Sequence, residues 1–214
     1  MTHTITIIGL GNYDIDDLPL GIYRFIQKQD KIYARTLEHP VIESLKDEID
    51  FESFDDIYEA NEQFDAVYDN IVEQLINKAQ QSNIVYAVPG HPRVVETTTA
   101  KLMAYHAQND DIEVKVLGGK SFIDDVVEAV AVEPNDGFTL LDGTALEESK
   151  LNVRTNTLIT QVYSAMVAAD IKLTLMERYP DDHMVKIVTG ARSGDAQVTE
   201  CPLFELDHFD TTFN

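Results

Sequence analysis

Cysteine, basic residues and long apolar runs are all scarce in this sequence. The single cysteine, Cys201, excludes a disulfide framework and a cysteine-built zinc cluster within the chain. Only 16 lysines and arginines stand against 38 acidic residues, a net charge of −22. Such a charge repels phosphate backbones and anionic lipid surfaces. No apolar run approaches the roughly 18 residues of a membrane span. We therefore expect neither a nucleic-acid partner nor a membrane partner.

The remaining composition is that of an ordinary globular protein, with 44% hydrophobic and 25% charged residues. A chain of 214 residues can bury a substantial core in one large or two small domains. Its first residues enter a strand-like segment with no sign of a signal peptide. We expect a cytoplasmic protein with small-molecule or protein partners.

Hydrophobic patterning in the first half alternates between strands and helices, which is typical of a doubly wound, mostly parallel sheet. Acidic residues interleaved with Phe and Tyr over 51–69 predict an amphipathic helix with a solvated acidic face. The other predicted elements are strands at 4–8, 31–35, 84–88 and 112–117 and helices at 18–29, 39–48 and 95–108.

A second α/β unit with a mixed sheet is predicted after residue 117, so the expected domains are 1–117 and 118–214. Its longest helix is expected at 161–178, and a turn-rich segment at 190–195 separates its last two strands. The other predicted elements are a helix at 122–130 and strands at 137–141, 157–160, 183–189 and 197–206.

Two glycine turns resemble phosphate-binding motifs without completing them. Gly9-Leu10-Gly11 follows the first strand, but Asp14 stands at the third glycine of a dinucleotide fingerprint. Gly118-Gly119-Lys120-Ser121 resembles the end of a P-loop, but Val114 occupies the position of its first glycine. Structural turns are the favoured interpretation of both. Ser121 still lies at the carboxyl end of a strand, where open α/β sheets bind ligands.

Pro89-Gly90-His91-Pro92 differs from those turns because two prolines and a glycine directly follow a buried strand. This combination predicts a rigid turn whose backbone a ligand can approach closely. A flat ligand could rest on it, although a purely structural turn remains an alternative.

Metal-binding and nucleophilic patterns find little support. The 6 histidines form neither HxH nor HExxH. Asp124, Asp125 and Glu128 share a helix face, but acids near a helix start usually complement its dipole. We therefore name no catalytic residue and no metal ligand.

A family resemblance joins these segments. The segments are residues 4–11, VYAVPGHPRVVETTT at 85–99, the GGKSF turn, QVYSAMVAADIKLTLMERYP at 161–180, TGARS at 189–193 and CPLFELD at 201–207. Their sequences and their order resemble the tetrapyrrole (corrin/porphyrin) methylase family. Within it, the chain is most similar to methylase-like domains that precede a MazG-type nucleotide pyrophosphohydrolase domain. The resemblance covers essentially the whole chain.

The resemblance implies two α/β domains, a mostly parallel N-terminal sheet, a mixed C-terminal sheet, S-adenosylmethionine in a cleft between them, and usually a homodimer. A fused or associated MazG-type domain is also implied. The residues that match cofactor-binding positions of the family are Leu10, Gly90, His91, Val94, Ser121, Phe122, Gln161, Val162, Gly190, Ala191 and Leu203.

Two positions depart from the family pattern. Asn12-Tyr13-Asp14-Ile15 replaces a Pro-Gly-Asp-Pro continuation of the first turn, and His91 replaces an Asp. The resemblance implies a methyltransferase for a small molecule, with tetrapyrrole-like acceptors among the candidates. The departures keep open a non-catalytic module that binds the cofactor or dimerises and regulates the pyrophosphohydrolase. A phosphohydrolase in its own right is the disfavoured alternative.

Overall fold

The structure, a computed structural model, describes residues 2–60, 64–191 and 196–208. Contacts divide the chain into two compact units, Met1–Phe122 and Ile123–Asn214. The first unit ends at Phe122, whereas the sequence analysis expects a domain boundary after residue 117.

A parallel sheet forms the centre of the first unit. Its strands lie in the order β3-β2-β4-β1-β5 and every neighbouring pair is parallel. The strands are β1 (His3–Gly9), β2 (Lys31–Ala34), β3 (Asp50–Ser53), β4 (Ile84–Val88) and β5 (Ile112–Leu117). All residues of β4 are buried because helices cover both faces of the sheet. The α/β class and the mostly parallel sheet expected from the sequence are confirmed.

The α-helices that the structure describes in the first unit cover both faces of the sheet. They are α1 (Leu20–Ile26), α2 (Pro40–Leu45), α3 (Asp55–Ala60), α4 (Phe64–Ala79) and α5 (Thr97–Gln108). Apolar side chains of α1 and α2 pack on one face, with Ile8 and Val85. Those of α4 and α5 pack on the other, with Ile7 and Tyr86. The chain therefore leaves the neighbouring strands β1 and β4 toward opposite faces.

The prediction of one helix over residues 51–69 was wrong. Strand β3 occupies Asp50–Ser53 and pairs with β2, and helix α3 begins only at Asp55. Helix α4 has 16 residues and is longer than the helix predicted to be longest. Its buried residues Val67, Ile71 and Leu75 recur at helical spacing and face the sheet.

The described residues of the second unit form two small sheets and an α-helix, and a further α-helix leads into this unit. Helix α6 (Phe122–Val130) is followed by β6 (Phe138–Asp142) and β7 (Asn156–Thr160), which pair in parallel. After helix α7 (Ala165–Met176), the strands β8 (Met184–Thr189) and β9 (Gln197–Pro202) form an antiparallel pair. In the described residues the parallel pair and the antiparallel pair are separate two-stranded sheets.

Helix α7 and the segment after β9 supply the core of the second unit. Ile171, Leu175 and Leu203 are buried together. Helix α7 begins at Ala165, not 161, because Ser164 caps it by accepting a hydrogen bond from the Val167 amide. The strand predicted to reach residue 206 ends at Pro202, and Leu203–His208 forms a 3₁₀ helix. Residues 192–195 of the predicted turn lie outside the described residues.

Candidate functional site

Three turns follow neighbouring strands at the carboxyl edge of the parallel sheet. We call residues 9–12 after β1 the first turn, residues 89–96 after β4 the second turn, and residues 118–121 after β5 the third turn. Strand β1 lies between β4 and β5, so the three turns begin side by side. This edge is where open α/β sheets bind ligands, at the point where connections diverge to opposite faces.

Backbone hydrogen bonds join the first and second turns. The Leu10 amide donates to Val88 O at 2.9 Å, and the amides of Gly90 and Gly11 donate to each other's carbonyl oxygens at 2.6 and 3.3 Å. Gly11 and Gly90 have φ values of +74° and +67°. These left-handed conformations are strained for residues with a Cβ, so glycine is required at both positions.

The three turns touch at a glycine junction, which we define as Gly9, Gly90 and Gly119. A Cβ atom on Gly9 would lie 2.4 Å from Gly90 O and 2.7 Å from Pro92 Cδ. A Cβ atom on Gly119 would lie 2.8 Å from both Gly9 Cα and Gly90 O. Since these neighbours are backbone or proline ring atoms, side chains are excluded and the turns pack backbone against backbone.

A buried histidine bonds the backbone of the first turn. His39 Nε2 lies 3.1 Å from Gly11 O, and His39 Nδ1 accepts a hydrogen bond from the Val41 amide at 3.2 Å. Because Nδ1 acts as the acceptor, the proton resides on Nε2, which donates to Gly11 O. The same side chain caps helix α2. Sequence reasoning missed this role, and the only signal was a histidine placed directly before Pro40 at a helix start.

His91 shapes the second turn and faces the third. Its Nδ1 accepts from the Arg93 amide at 3.1 Å, and its carbonyl oxygen accepts from the Val94 amide at 2.9 Å. A Cβ atom on Gly118 would lie 3.4 Å from His91 Nε2, so the imidazole lies against the start of the third turn. His91 and Val94 are both half-buried.

A salt bridge ties the third turn to the segment that follows the first. Lys120 Nζ lies 2.9 Å from Asp17 Oδ1. The other carboxylate oxygen, Asp17 Oδ2, is buried without a hydrogen-bond partner in the described part of the chain. It would lie 4.0 Å from a Cβ atom on Gly11. A carboxylate oxygen that can still accept a hydrogen bond therefore lies beside the first turn.

A second ion pair lies where the second turn enters helix α5. Arg35 Nη1 is 2.9 Å from Glu96 Oε2, whose side chain is only 2% exposed. Burial of Arg35 disfavours its charge, but the Glu96 carboxylate outweighs this effect and raises the pKa of the guanidinium. Burial also raises the pKa of Tyr86 beside them well above its ordinary value, and Glu96 raises it further.

The structure brings five predicted cofactor residues of the first unit to this edge, and Phe122 follows them as the first residue of α6. The side chain of Leu10 is only 1% exposed and packs in the core beside α1 and α2, so the backbone is what Leu10 offers a ligand. Ser121 is 8% exposed at the end of the third turn. The five residues are Leu10, Gly90, His91, Val94 and Ser121.

The other predicted residues belong to the second unit. Gln161 is exposed and left-handed, with φ of +61°, directly after β7. Val162 is partly buried against the core that contains Leu203, which is fully buried. Gly190, with φ of +70°, and Ala191 follow β8. The Leu203 side chain therefore serves packing within its own unit.

Residues 2–60, 64–191 and 196–208 contain neither a candidate membrane-spanning helix nor a candidate metal-binding cluster. No helix there is long and apolar enough to cross a membrane. No three side chains of His, Cys, Asp or Glu in these ranges are grouped to hold a metal ion.

A family profile and a curated relative match almost the whole chain. The family profile described as Tetrapyrrole (Corrin/Porphyrin) Methylases matches residues 4–207. The uncharacterized protein YabN of Bacillus subtilis (strain 168) is 43% identical over 208 residues, which are 97% of this chain and 42% of YabN. The chain thus spans less than half the length of this curated relative.

Solved structures share the fold at low sequence identity. The uroporphyrin-III-C-methyltransferase of Thermus thermophilus superposes with a TM-score of 0.70 at 16% identity, over 100% of this chain and 89% of that one. A diphthine synthase superposes with a TM-score of 0.65 at 18% identity, over 97% and 85% of the two chains. At these identities the likeness concerns the fold.

Proposed function

Because the chain belongs to the tetrapyrrole (corrin/porphyrin) methylase family, we propose that it binds S-adenosylmethionine at the three turns and transfers its methyl group to a small molecule. The observation that carries this proposal is the glycine junction. It places the backbone of three turns side by side, at the sheet edge where α/β proteins bind ligands.

The groups at this edge fit the chemistry of the proposed cofactor. S-adenosylmethionine supplies a methyl group on a positively charged sulfur, together with an amino acid end and an adenine ring. Backbone amides and carbonyls of the turns can bond its polar ends, as the amides and carbonyls of Gly11 and Gly90 bond each other. The spare oxygen Asp17 Oδ2 offers negative charge beside the first turn, although His91 replaces the family's acidic residue.

Binding and orientation are the tasks that this chain's residues would perform. The glycine junction keeps side chains out of the space between the turns, and His39 and the Lys120–Asp17 pair hold the turns rigid. A displacement of this kind depends mainly on alignment of the two reacting groups and exclusion of water. No general acid or base is needed from the turns.

The negative net charge of the chain limits which methyl acceptors can approach it. A net charge of −22 disfavours approach of polycarboxylates, at least at low ionic strength. We therefore expect acceptors with few negative charges to be methylated faster than highly carboxylated tetrapyrroles, with a difference that shrinks as salt is added.

A second candidate function is a non-catalytic cofactor-binding module that regulates a following domain, such as a MazG-type pyrophosphohydrolase. The chain's 42% share of YabN favours this alternative, as does the segment Asn12-Tyr13-Asp14-Ile15, which begins at the end of the first turn. Self-association would serve either function. Met166 and Leu173 of α7, 74% and 62% exposed, provide apolar surface that supports a homodimer.

Calorimetric titration with S-adenosylmethionine and its demethylated product tests the proposal. We expect saturable binding of both, and about 2.7 kcal/mol of added stability at 100 times the dissociation constant. The absence of both heat and thermal shift would refute either function. Methyl transfer to any member of a panel of neutral, cationic and polycarboxylate acceptors distinguishes the enzyme from the module.

Substitution of His91 tests the assigned position. His91→Asp restores the acidic residue of the family pattern beside a cationic ligand, so we expect tighter binding of S-adenosylmethionine. The demethylated product, whose sulfur carries no charge, should gain much less, which makes the ratio of the two affinities the informative quantity. An unchanged ratio would argue against His91 as a cofactor neighbour.

A further inference from the structure

The second turn is joined to other parts of the first unit near both of its ends, and bonds within the turn shape the residues between them. At its start, Gly90 forms the two hydrogen bonds with Gly11. At its end, Glu96 forms its ion pair with Arg35, a residue 61 positions earlier in the chain. The Arg35 amide also donates to Ala87 O at 2.9 Å, so the arginine is fixed to the strand from which the turn emerges.

The residue directly before Glu96 has a strained backbone. Val95 has φ of +53°, a left-handed conformation that costs free energy for a β-branched side chain. Its side chain is 44% exposed, so burial offers little compensation. A strained residue persists only where the structure on both sides dictates its conformation. Gly90 and Glu96 are the two flanking points that do so.

Arg35 is the hydrogen-bonding partner of the Glu96 carboxylate. One carboxylate oxygen bonds Arg35, and the other, Oε1, is buried with no hydrogen-bond partner in the described part of the chain. The hydroxyls of Tyr58 and Tyr86 are likewise buried there without a partner in bonding geometry. The Arg35 guanidinium lies over the Tyr58 ring at 5.9 Å. The ion pair is therefore flanked by the side chains of these two tyrosines.

We propose that Arg35 and Glu96 are positioning residues, whose ion pair holds the second turn in the conformation that binds the cofactor. Neither side chain needs to touch the ligand. This inference rests on the proposed function. If the pair fails, the stretch between Gly90 and Glu96 gains conformational freedom, and Val95 can relax to an ordinary extended backbone.

Affinity then falls in proportion to the population of the competent conformation. If that population drops to about a tenth, the apparent dissociation constant rises about tenfold. We expect Glu96→Ala to weaken binding of S-adenosylmethionine by about this factor, and Glu96→Gln and Arg35→Lys to weaken it less, because each keeps a hydrogen-bonding partner.

Amide hydrogen exchange without ligand tests the anchor separately from the proposed function. In Glu96→Ala, the Val94 amide should exchange at least several-fold faster, since its bond to His91 O is no longer held in place. Glu52→Gln is the matched control. Glu52 is also paired with a lysine of β2, but its strand β3 is away from the second turn, so exchange and affinity should stay unchanged.

Val95→Gly supplies a variant that keeps the ion pair. Glycine adopts the left-handed conformation without strain but loosens the stretch between the anchors. We expect weaker cofactor binding with a melting temperature close to that of the wild type, which a merely structural role would not produce. This variant also tests the inference if Glu96→Ala does not fold.

Either of two results would overturn the inference. One is unchanged Val94 exchange in folded Glu96→Ala. The other is unchanged cofactor affinity in Glu96→Ala and Val95→Gly. If the wild-type chain binds no S-adenosylmethionine, the proposed function fails instead, while the exchange rates still report whether Glu96 anchors the turn.

Discussion

Substitution of Gly9 by alanine tests whether backbone contact at the glycine junction holds the three turns together. The added Cβ would approach Gly90 O to 2.4 Å and Pro92 Cδ to 2.7 Å. Gly119 Cα lies at 3.0 Å on another side. None of these atoms is the end of a flexible side chain, so relief requires one of the turns to move.

The expected cost follows from overpacking of a rigid site. Inserting a methyl group into well-packed structure typically costs about 1–3 kcal/mol. For a chain of this size, about 2–4 °C of melting temperature corresponds to each kcal/mol, so the expected decrease is about 2–12 °C. Movement of the second turn should also weaken binding of S-adenosylmethionine.

Gly21→Ala is the matched control. A Cβ atom on Gly21 meets nothing within 4 Å, and the residue lies in helix α1. Alanine is favoured over glycine in a helix by about 0.5–1 kcal/mol, so this variant should melt at or above the wild-type temperature. Thermal and urea denaturation of both variants are the assays. A Gly9→Ala protein as stable as Gly21→Ala would refute the packing argument.

Three further substitutions probe other parts of the molecule. His39→Asn retains an acceptor for the cap of α2 but loses the bond to Gly11, so it should cost about 1 kcal/mol of unfolding free energy and weaken cofactor binding in calorimetry. Hydrogen bonds from Lys31 and then Lys78 lower the pKa of Glu52, so its contribution to stability is present above the ordinary glutamate pKa and disappears as pH falls through the lowered value. Glu52→Gln should therefore cost at most about 1 kcal/mol near neutral pH and nothing in stronger acid, as urea denaturation at both pH values would reveal. Leu203→Ala should cost about 2–5 kcal/mol, because the side chain is fully buried, and cofactor affinity equal to that of the wild type would confirm its packing role.

Elements with a strong local pattern could be predicted from the sequence. Strands β4 and β5 and helix α6 match their predicted bounds, because each is a short apolar or helically periodic segment between polar or turn residues. Strand β3 could not be predicted this way. Its Asp-Phe-Glu-Ser sequence has little strand character, and pairing with β2, a distant partner, determines its conformation.

In the candidate site too, local features could be predicted from the sequence and long-range contacts could not. Glycine and proline after strands identify the turns, since their backbone preferences are local. The contacts that join the turns are not local. His39 meets Gly11 and Arg35 meets Glu96 across separations of 28 and 61 residues, and only the order of strands in the sheet brings them together. The second unit shows the same limit, because its strand segments were recognised but not their pairing.

The central claim is that the three turns bind S-adenosylmethionine, and backbone amide chemical shifts during a titration of the isotope-labelled chain test it most directly. We predict that the largest shifts occur in residues 9–12, 89–96 and 118–121, with saturation at the dissociation constant measured by calorimetry. Residues at the opposite, amino edge of the sheet, such as Asn83 and Asp111, should change little. Saturable binding whose shifts leave all three turns unaffected would contradict the claim.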